Sequence, residues 1–261
     1  MAIGLIIIGD EILSGKRRDQ HFPKVVELLS ERGLQLAWAE FVGDDPARIT
    51  ATLKRTLAGP DIVFSCGGIG ATPDDHTRQC AAAALGVPLV LHPEGRASIE
   101  QRIRETAAQA GREANLSAPD NLQRLKMAEF PQGASLIPNP YNQVPGFSVG
   151  RHHFVPGFPV MAWPMIASVL DTCYAGLFHA EARAERALLV YEQAEATLTP
   201  LMEALQAGYP GVRVFSLPSV GDAATRRHIE LGVKGQPEQV LAAFAAMCVE
   251  LDRVGAEYHA L

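Results

Sequence analysis

The amino-terminal half of the chain alternates short apolar runs with stretches that are apolar on one face only. The segments 1–8, 34–42 and 61–64 predict strands. Between them, apolar residues recur every three or four positions at 22–32 and 49–57, the spacing of helices with one buried face. Strands and helices that alternate in this way favour a parallel sheet with helices on both faces.

The middle of the chain continues this alternation with longer loops. Helices are predicted at 76–85, 93–111, 118–127 and 160–174, a strand at 152–155, and a proline-rich loop at 136–147. The apolar segment 155–170 contains three prolines. It is shorter than the ~18–20 residues that a membrane span needs, so we expect it in the core or in an oligomer interface.

The pattern changes at about residue 184. Strands at 187–191, 212–218 and 227–234 and helices at 196–207 and 237–254 follow in the order βαββα. This order is typical of a small α+β unit with an antiparallel sheet. We therefore expect an α/β domain at 1–178 and an α+β subdomain at 184–261. The second holds no chemical motif and is interpreted as a packing or interface unit, with Glu192 and Glu195 as solvated charges.

Length, charge and cysteines narrow the class of protein. The chain has 261 residues and a formal net charge of -6. Because no global basic surface exists, neither nucleic acid nor a membrane is expected as a partner, and a small anionic ligand needs local groups. The amino-terminal run is too short for a signal peptide and lacks its basic segment. Four scattered cysteines indicate reduced, buried thiols in the cytoplasm: Cys66, Cys80, Cys173 and Cys248.

A glycine-rich segment follows the third predicted strand and reads Gly67-Gly68-Ile69-Gly70-Ala71-Thr72-Pro73-Asp74-Asp75-His76-Thr77. Glycines between a strand and a helix allow a tight turn with bare N–H groups, and the helix N-terminus favours a phosphate. Asp74 and Asp75 would repel that phosphate unless a cation such as Mg²⁺ lay between them. The segment suggests a metal-assisted phosphate site. The alternative is an ordinary strand-to-helix turn without a ligand, whose acidic residues complement the helix dipole.

Acidic residues follow all three amino-terminal strands. Asp10 and Glu11 follow the first, Asp44 the second, and Asp74 and Asp75 the third. Because the carboxyl ends of parallel strands form the ligand-binding edge of an open sheet, these acids are predicted to converge.

Two neighbouring groups have ordinary explanations. Asp45 precedes Pro46 and is predicted to be the N-cap of the helix at 49–57. The basic residues at 16–18 either reach an anionic ligand or form a solvated loop.

With these residues in place, the chain resembles the molybdopterin-binding-domain superfamily, and within it the amino-terminal domain of the competence/damage-inducible protein A (CinA) family. The resemblance covers almost the whole chain. Its motifs are Ile6-Ile7-Ile8-Gly9-Asp10-Glu11-Ile12-Leu13-Ser14-Gly15, Val42-Gly43-Asp44-Asp45, the glycine segment 67–77, Asn139 with Val144-Pro145-Gly146-Phe147, and Pro156-Gly157-Phe158-Pro159. The amidase domain of longer members has no counterpart in this sequence, so no deamidase role is expected.

The resemblance implies a three-layer α/β sandwich with a mostly parallel sheet, whose strand ends bind a pterin or a nucleotide. It implies Asp44 and Asp75 as catalytic residues and metal ligands, for Mg²⁺ or another divalent cation, with K⁺ as a further candidate. Substrate contacts are expected from Gly9, Asp10, Glu11, Gly67, Gly68, Gly70, Thr72, Asp74, Thr77, Asn139, Pro156 and Gly157. Thr77 either contacts the ligand or only caps the helix.

Three residues depart from the family pattern: His21 replaces an Asn, Asn142 a Gly and Met161 a Glu. The leading hypothesis is a cytoplasmic, metal-dependent pyrophosphatase for ADP-ribose-like dinucleotides. The alternatives are a non-catalytic molybdopterin-binding protein, related to molybdenum-cofactor biosynthesis, and a structural oligomer module. The resemblance also implies a homo-oligomer.

Overall fold

The computed structural model of the protein describes residues 2–180, 182–222 and 224–261. The chain divides into two compact units, Met1–Phe178 and His179–Leu261, and each has its own hydrophobic core. Within the described residues, no helix is long and apolar enough to cross a membrane.

The first unit alternates strands and helices up to its sixth helix, and four consecutive strands then precede its last helix. Its strands are β1 (Ile3–Ile8), β2 (Trp38–Val42), β3 (Ile62–Cys66), β4 (Leu89–Leu91), β5 (Glu129–Pro131), β6 (Ser135–Ile137), β7 (Gly146–Val149) and β8 (His152–Val155). Its helices are α1 (Asp10–Leu13), α2 (His21–Ser30), α3 (Pro46–Leu57), α4 (Thr77–Leu85), α5 (Pro93–Gln109), α6 (Pro119–Leu125) and α7 (Pro159–Cys173).

The main sheet of the first unit has the strand order β2-β1-β3-β8-β7-β6. Its first four strands are parallel, whereas β7 runs antiparallel to both of its neighbours. A separate small ribbon pairs β4 with β5. The predicted mostly parallel sheet is therefore confirmed.

Helices cover both faces of this sheet. Successive side chains of a strand point to opposite faces, and β1 shows this directly. Leu5 and Ile7 pack in a core with α2 and α7, whereas Ile6 and Ile8 pack in a second core with α3 and α4. The three-layer α/β sandwich is confirmed, and the apolar segment 155–170 supplies its core through α7.

The start of α3 is set locally, as predicted. Asp45 accepts hydrogen bonds from the amides of Ala47 at 2.8 Å and Arg48 at 3.0 Å, and Pro46 occupies the first turn. The bond from the Arg48 amide is the main cause that lowers the Asp45 pKa. Asp45 therefore acts as a helix cap.

Several boundaries differ from the sequence prediction. The second strand begins at Trp38 rather than Leu34, because its pairing with β1 starts at Gly4 opposite Trp38. The short helix α1, the ribbon of β4 and β5, and the strands β6 and β7, which overlap the two ends of the segment predicted as a loop at 136–147, were not predicted. They contain three to four residues each, too few for a periodic pattern to emerge.

The buried face of α2 also differs from the prediction. Phe22 and Val26 are exposed, whereas His21 and Leu28 are buried beside Val25. The helix is thus rotated relative to the stripe that its largest apolar residues suggest.

The cysteine prediction is wrong for two residues. Cys66 and Cys80 are buried, but Cys173 is exposed at the end of α7 and Cys248 is only partly buried. All four are free thiols, and burial raises the pKa of Cys66.

The second unit is an antiparallel sheet with two helices. Its elements are β9 (Ala184–Tyr191), α8 (Glu195–Gly208), β10 (Val212–Ser219), β11 (His228–Gly235), α9 (Pro237–Arg253) and β12 (Tyr258–Ala260). The strand order is β10-β11-β9-β12. The predicted βαββα order is present, and β12, which pairs with β9, extends it by one strand that was missed.

Candidate functional site

The carboxyl ends of β1, β2, β3 and β8 lie side by side at one edge of the main sheet. The Gly9 amide donates to the Val42 carbonyl at 3.0 Å and joins the ends of β1 and β2. The Gly67 amide donates to the Val155 carbonyl at 3.0 Å and joins β3 to β8. The loops after these strands therefore leave from the edge where open α/β sheets bind ligands.

Asp10 and Asp44 form a reciprocal pair across the first two loops. The Asp10 amide donates to Asp44 Oδ2 at 2.8 Å, and the Asp44 amide donates to Asp10 Oδ1 at 3.2 Å. Gly43 permits this contact, since a Cβ there would lie 2.5 Å from Asp10 Oδ1. Among the described residues, the second oxygen of each carboxylate accepts no hydrogen bond.

The pKa of Asp44 is raised above its ordinary value. Burial is the main cause, and the negative charges of Asp10, Glu11 and Asp74 add to it, while the Asp10 amide acts in the opposite direction. Acids from two other loops thus lie within electrostatic reach of Asp44. This concentration of negative charge favours a cation at the strand ends.

Glu11 lies against the first loop rather than against the acidic pair. A Cβ at Gly9 would lie 2.5 Å from Glu11 Oε2, so the Glu11 carboxylate lies directly against Gly9. The basic residues 16–18 are exposed, and in the part of the chain that the structure describes none of them forms an ion pair. Their placement fits the solvated-loop alternative.

The glycine loop that follows β3 packs tightly against its neighbours. Gly67 and Gly68 have φ angles of 109° and 67°, which favour glycine. A Cβ at Gly67 would overlap the Ile8 carbonyl oxygen, and one at Gly68 would overlap Thr77 Oγ1. The loop therefore lies directly on the end of β1.

Several amides of this loop are open, in the sense that they donate to no acceptor among the described residues. Within the described residues, no acceptor bonds the N–H groups of four consecutive residues, Gly68, Ile69, Gly70 and Ala71. Unpaired N–H groups at a strand-to-helix turn are the usual donors to a phosphate. These N–H groups are the candidate donors of the anion site predicted from the sequence, which stays a prediction.

Two side chains support the loop from behind. Thr77 is fully buried, and its hydroxyl donates to the Gly67 carbonyl at 3.0 Å, so this residue shapes the loop. Arg78 is also buried; it donates to the Gly70 carbonyl at 2.6 Å and to the Lys126 carbonyl. Desolvation by burial is the main cause that lowers the Arg78 pKa.

Thr72 and Asp75 close the far side of the loop. Asp75 Oδ2 accepts hydrogen bonds from the Thr72 amide at 2.8 Å and the Thr72 hydroxyl at 2.5 Å. Asp75 Oδ1 accepts none from the described residues. Asp74 is exposed and, unlike Asp75, belongs to the charges that raise the Asp44 pKa. The charges of Asp10 and Asp74 therefore act on Asp44, whereas Asp75 is hydrogen-bonded within its own loop.

The loop after β6 is organised by its asparagines. Asn139 is buried; its Nδ2 donates to Asn142 Oδ1 at 2.8 Å and to the Val144 carbonyl at 3.0 Å, and its Oδ1 accepts from the Tyr141 amide at 3.0 Å. Asn142 in turn donates to the Met161 sulfur at 3.4 Å. Two of the residues that depart from the family pattern, Asn142 and Met161, are therefore in contact.

The third departure, His21, binds the loop after β8. Its Nε2 lies 2.9 Å from the carbonyl oxygen of Gly157, which can only accept, so Nε2 is the protonated donor. His21 is buried, and its Nδ1 has no partner among the described residues. Gly157 lies beside the Gly67 Cα, and Pro156 is partly buried next to it. His21 thus connects α2 to the glycine loop through Gly157.

The described residues contain no group of three or more His, Cys, Asp or Glu side chains arranged to hold a metal ion. Mg²⁺ does not need such a cage, since it is usually held by one or two carboxylates together with substrate phosphates and water. A free carboxylate oxygen such as that of Asp44 fits this mode, in which the ion arrives with a phosphate ligand, and the metal-ligand roles of Asp44 and Asp75 stay predictions.

The fold and this site define a known class of domain. Residues 4–174 match the family described as "Probable molybdopterin binding domain", and the protein belongs to this family. The motif resemblance drawn from the sequence is thereby confirmed.

Relatives of the chain are CinA-like proteins. One from Anaeromyxobacter sp. (strain K) is 38% identical over 164 residues, 61% of this chain and 38% of the relative. One from Geobacter metallireducens is 32% identical over 223 residues, 82% of this chain and 51% of the relative. The crystal structure of CinA from Thermoplasma acidophilum, of unknown function, is 28% identical with a TM-score of 0.55, covering 65% of this chain and 96% of that one. The chain spans about half or less of the length of these two CinA-like proteins.

Sequence reasoning did not single out Arg78, and it named His21 only as a departure from the family pattern. Arg78 lies on the buried face of α4 with Ala81 and Ala82, and His21 lies on the buried face of α2 with Val25. A polar residue at helical spacing from buried apolar ones was the available indication in both helices.

Proposed function

We propose that the protein is a metal-dependent pyrophosphatase that hydrolyses ADP-ribose-like dinucleotides. The observation that supports this most is the reciprocal pair of Asp10 and Asp44, whose excess negative charge lies beside a loop with open amides. Carboxylates suit a divalent cation and open amides suit a phosphate, and a diphosphate bound with Mg²⁺ needs both.

Different groups of the site would act on different parts of the substrate. The open amides of the glycine loop would bind phosphoryl oxygens and stabilise the charge that develops on them. Asp44 and Asp75 would hold the cation through their free oxygens, and Asp10 would orient Asp44 through their mutual hydrogen bonds. A divalent cation, when bound, would polarise the phosphoryl group and lower the pKa of water.

The test is hydrolysis of ADP-ribose and FAD with Mg²⁺, with another divalent cation, with added K⁺, and with a chelator. We expect product only with a divalent cation, and a decrease of about 100-fold or more in kcat/KM for Asp44→Asn and Asp75→Asn. Asp45→Asn is the matched control, because this neighbouring residue caps α3 and Asn caps equally well. Absence of turnover with every substrate and ion would refute the proposal.

A second candidate, a pterin-binding protein without catalysis, agrees with the name of the matched family. Calorimetry with molybdopterin separates the two, because a pure binder would take up the pterin and release no product from any dinucleotide. The binding heat would then persist in the Asp75→Asn variant.

A further inference from the structure

A groove in the first unit lies outside the strand-end site. It is formed by α5, α6 and the loop 139–144, and its volume is about 340 Å³. Pockets that hold small organic ligands have about 300–1,000 Å³, so the groove has room for one ring system. The apolar side chains of Ile99, Ile103 and Val144 line it, and Arg102, Arg124 and Tyr141 line it too.

The charge of the groove is unusual for an acidic protein. Its lining includes two guanidinium groups and no carboxylate. Arg124 is already bonded, because it donates to Asn121 Oδ1 at 2.8 Å and lies 3.6 Å from Asp120. Arg102 is partly buried and has no ion pair within the described residues.

Among the described residues, no other charged residue of α5 forms an ion pair with Arg102. Arg96 and Arg104 both pair with Glu100, at 2.7 and 3.0 Å. Glu105 lies three positions after Arg102, and its oxygens accept hydrogen bonds from two neutral donors, Gln101 Nε2 at 2.8 Å and Gln143 Nε2 at 2.9 Å, rather than from Arg102. A partly buried guanidinium without a carboxylate is a favourable site for an anion from solution.

Tyr141 provides an aromatic surface beside this charge. It is 60% exposed, although large aromatic side chains usually bury more of their surface. Its loop is rigidly held, since Asn139 accepts its amide and Gln143 binds Glu105. An exposed ring on a fixed loop suits stacking with a planar heterocycle.

The groove also adjoins the glycine loop. Gln123 of α6 donates to the Ala71 carbonyl at 2.7 Å. Arg78 joins the Gly70 carbonyl to the Lys126 carbonyl just beyond α6. One wall of the groove is therefore bonded directly to the loop that has the open amides.

From these features we infer that the groove binds a planar heteroaromatic ring that carries a phosphate, such as the adenylate part of a dinucleotide. Arg102 binds the phosphate and Tyr141 stacks on the ring. The assignment of the groove to one half of a larger substrate rests on the proposed pyrophosphatase, whereas binding of AMP by itself requires no turnover.

The test is calorimetric titration of the whole protein with AMP, adenosine and inorganic phosphate in the presence of a chelator. We expect AMP to bind more tightly than either fragment. Arg102→Gln and Tyr141→Leu should each weaken AMP binding by about tenfold, because each removes one of the two contacts. Tyr141→Phe should retain the affinity. Arg104→Gln is the matched control on the same helix and should leave AMP binding unchanged, because Arg104 pairs with Glu100.

The outcomes distinguish failure of the groove assignment from failure of the proposed pyrophosphatase activity. Equal AMP affinity of the wild type and Arg102→Gln, or no AMP binding by the wild type, would overturn the groove assignment even if ADP-ribose is hydrolysed. AMP binding that depends on Arg102 without any dinucleotide turnover would retain the groove and reject the pyrophosphatase. Circular dichroism of each variant confirms that it is folded.

Discussion

The charge of Asp44 disfavours the folded state at neutral pH. Its carboxylate is partly buried among other acids, so its pKa is raised, chiefly by desolvation. An acid whose pKa is higher in the folded than in the unfolded state stabilises the fold while it is protonated. That contribution is complete below the ordinary pKa and is lost as the pH rises through the raised value.

Asp44→Asn should therefore stabilise the ligand-free protein at pH 7. We expect Tm to rise by roughly 1–3 °C. The asparagine side-chain oxygen can still accept the hydrogen bond from the Asp10 backbone N–H, but it carries no charge. The difference should vanish below the ordinary pKa of the carboxyl group. Thermal melts from pH 3 to 8 measure it, and a lower Tm for the variant at pH 7 would contradict the prediction.

The buried pair of His152 and His153 should make the fold sensitive to acid. Burial lowers the pKa of each to about 4. Both stay neutral in the folded state while the unfolded chain gains protons below its ordinary value of about 6.5. Their contribution to stability is present above that value and is lost as the pH falls towards 4.

We expect the free energy of unfolding to fall between pH 6.5 and 4, by at most about 1.4 kcal/mol per pH unit for each histidine. His153→Gln should reduce this slope because glutamine takes up no proton, and its amide can still bond Ser148 and Tyr174. The exposed His259→Gln is the control. Urea denaturation at several pH values measures the slope, and an unchanged slope in His153→Gln would be evidence against this account.

Among the elements, the glycine loop depends on the side chains behind it. Gly67 and Gly68 provide its shape, but the hydroxyl of Thr77 satisfies the Gly67 carbonyl and Arg78 satisfies the Gly70 carbonyl. A buried carbonyl that loses its donor costs about 1–3 kcal/mol. The open amides therefore stay in place because the opposite side of the loop is bonded.

Thr77→Val should lower the free energy of unfolding by about 1–3 kcal/mol, because the shape is kept and the hydroxyl is lost. Thr77→Ser keeps the hydroxyl and should retain the Gly67 hydrogen bond. Urea denaturation followed by tryptophan fluorescence compares the two. If Thr77→Ser were as destabilised as Thr77→Val, the hydrogen bond would not be the cause.

At the level of the whole molecule, the two units have separate cores and can be distinguished by tryptophan fluorescence. The chain has two tryptophans, Trp38 and Trp163, and both belong to the first unit. Tryptophan fluorescence therefore follows the unit that contains the strand-end site. The expected homo-oligomer remains a prediction at this level.

A ligand of the strand-end site should stabilise the first unit selectively, because binding to the folded state alone raises its stability. We expect ADP-ribose with Mg²⁺ to shift the tryptophan-detected urea transition to higher concentration. Hydrogen exchange of 184–261 should change less than that of 67–77. Equal protection of both segments would argue against a ligand site at the strand ends.

Much of the architecture was readable from local patterns. The alternation of strands and one-faced helices predicted the parallel α/β layers, and the cap at Asp45 depends only on adjacent residues. The acids after three strands were also predictable, because parallel strands of one sheet end at one edge. The sequence alone therefore determined the layers, the edge and the residue types at that edge.

Packing between distant segments decided the rest. His21 meets Gly157 across 136 positions of the chain, and Arg78 meets Lys126 across 48. The same holds for the groove at Arg102, whose free charge is apparent only once its neighbours are seen to bond elsewhere. Periodicity reports how a residue relates to its own helix or strand, whereas these contacts depend on how helices and loops pack against each other, which only the tertiary structure defines.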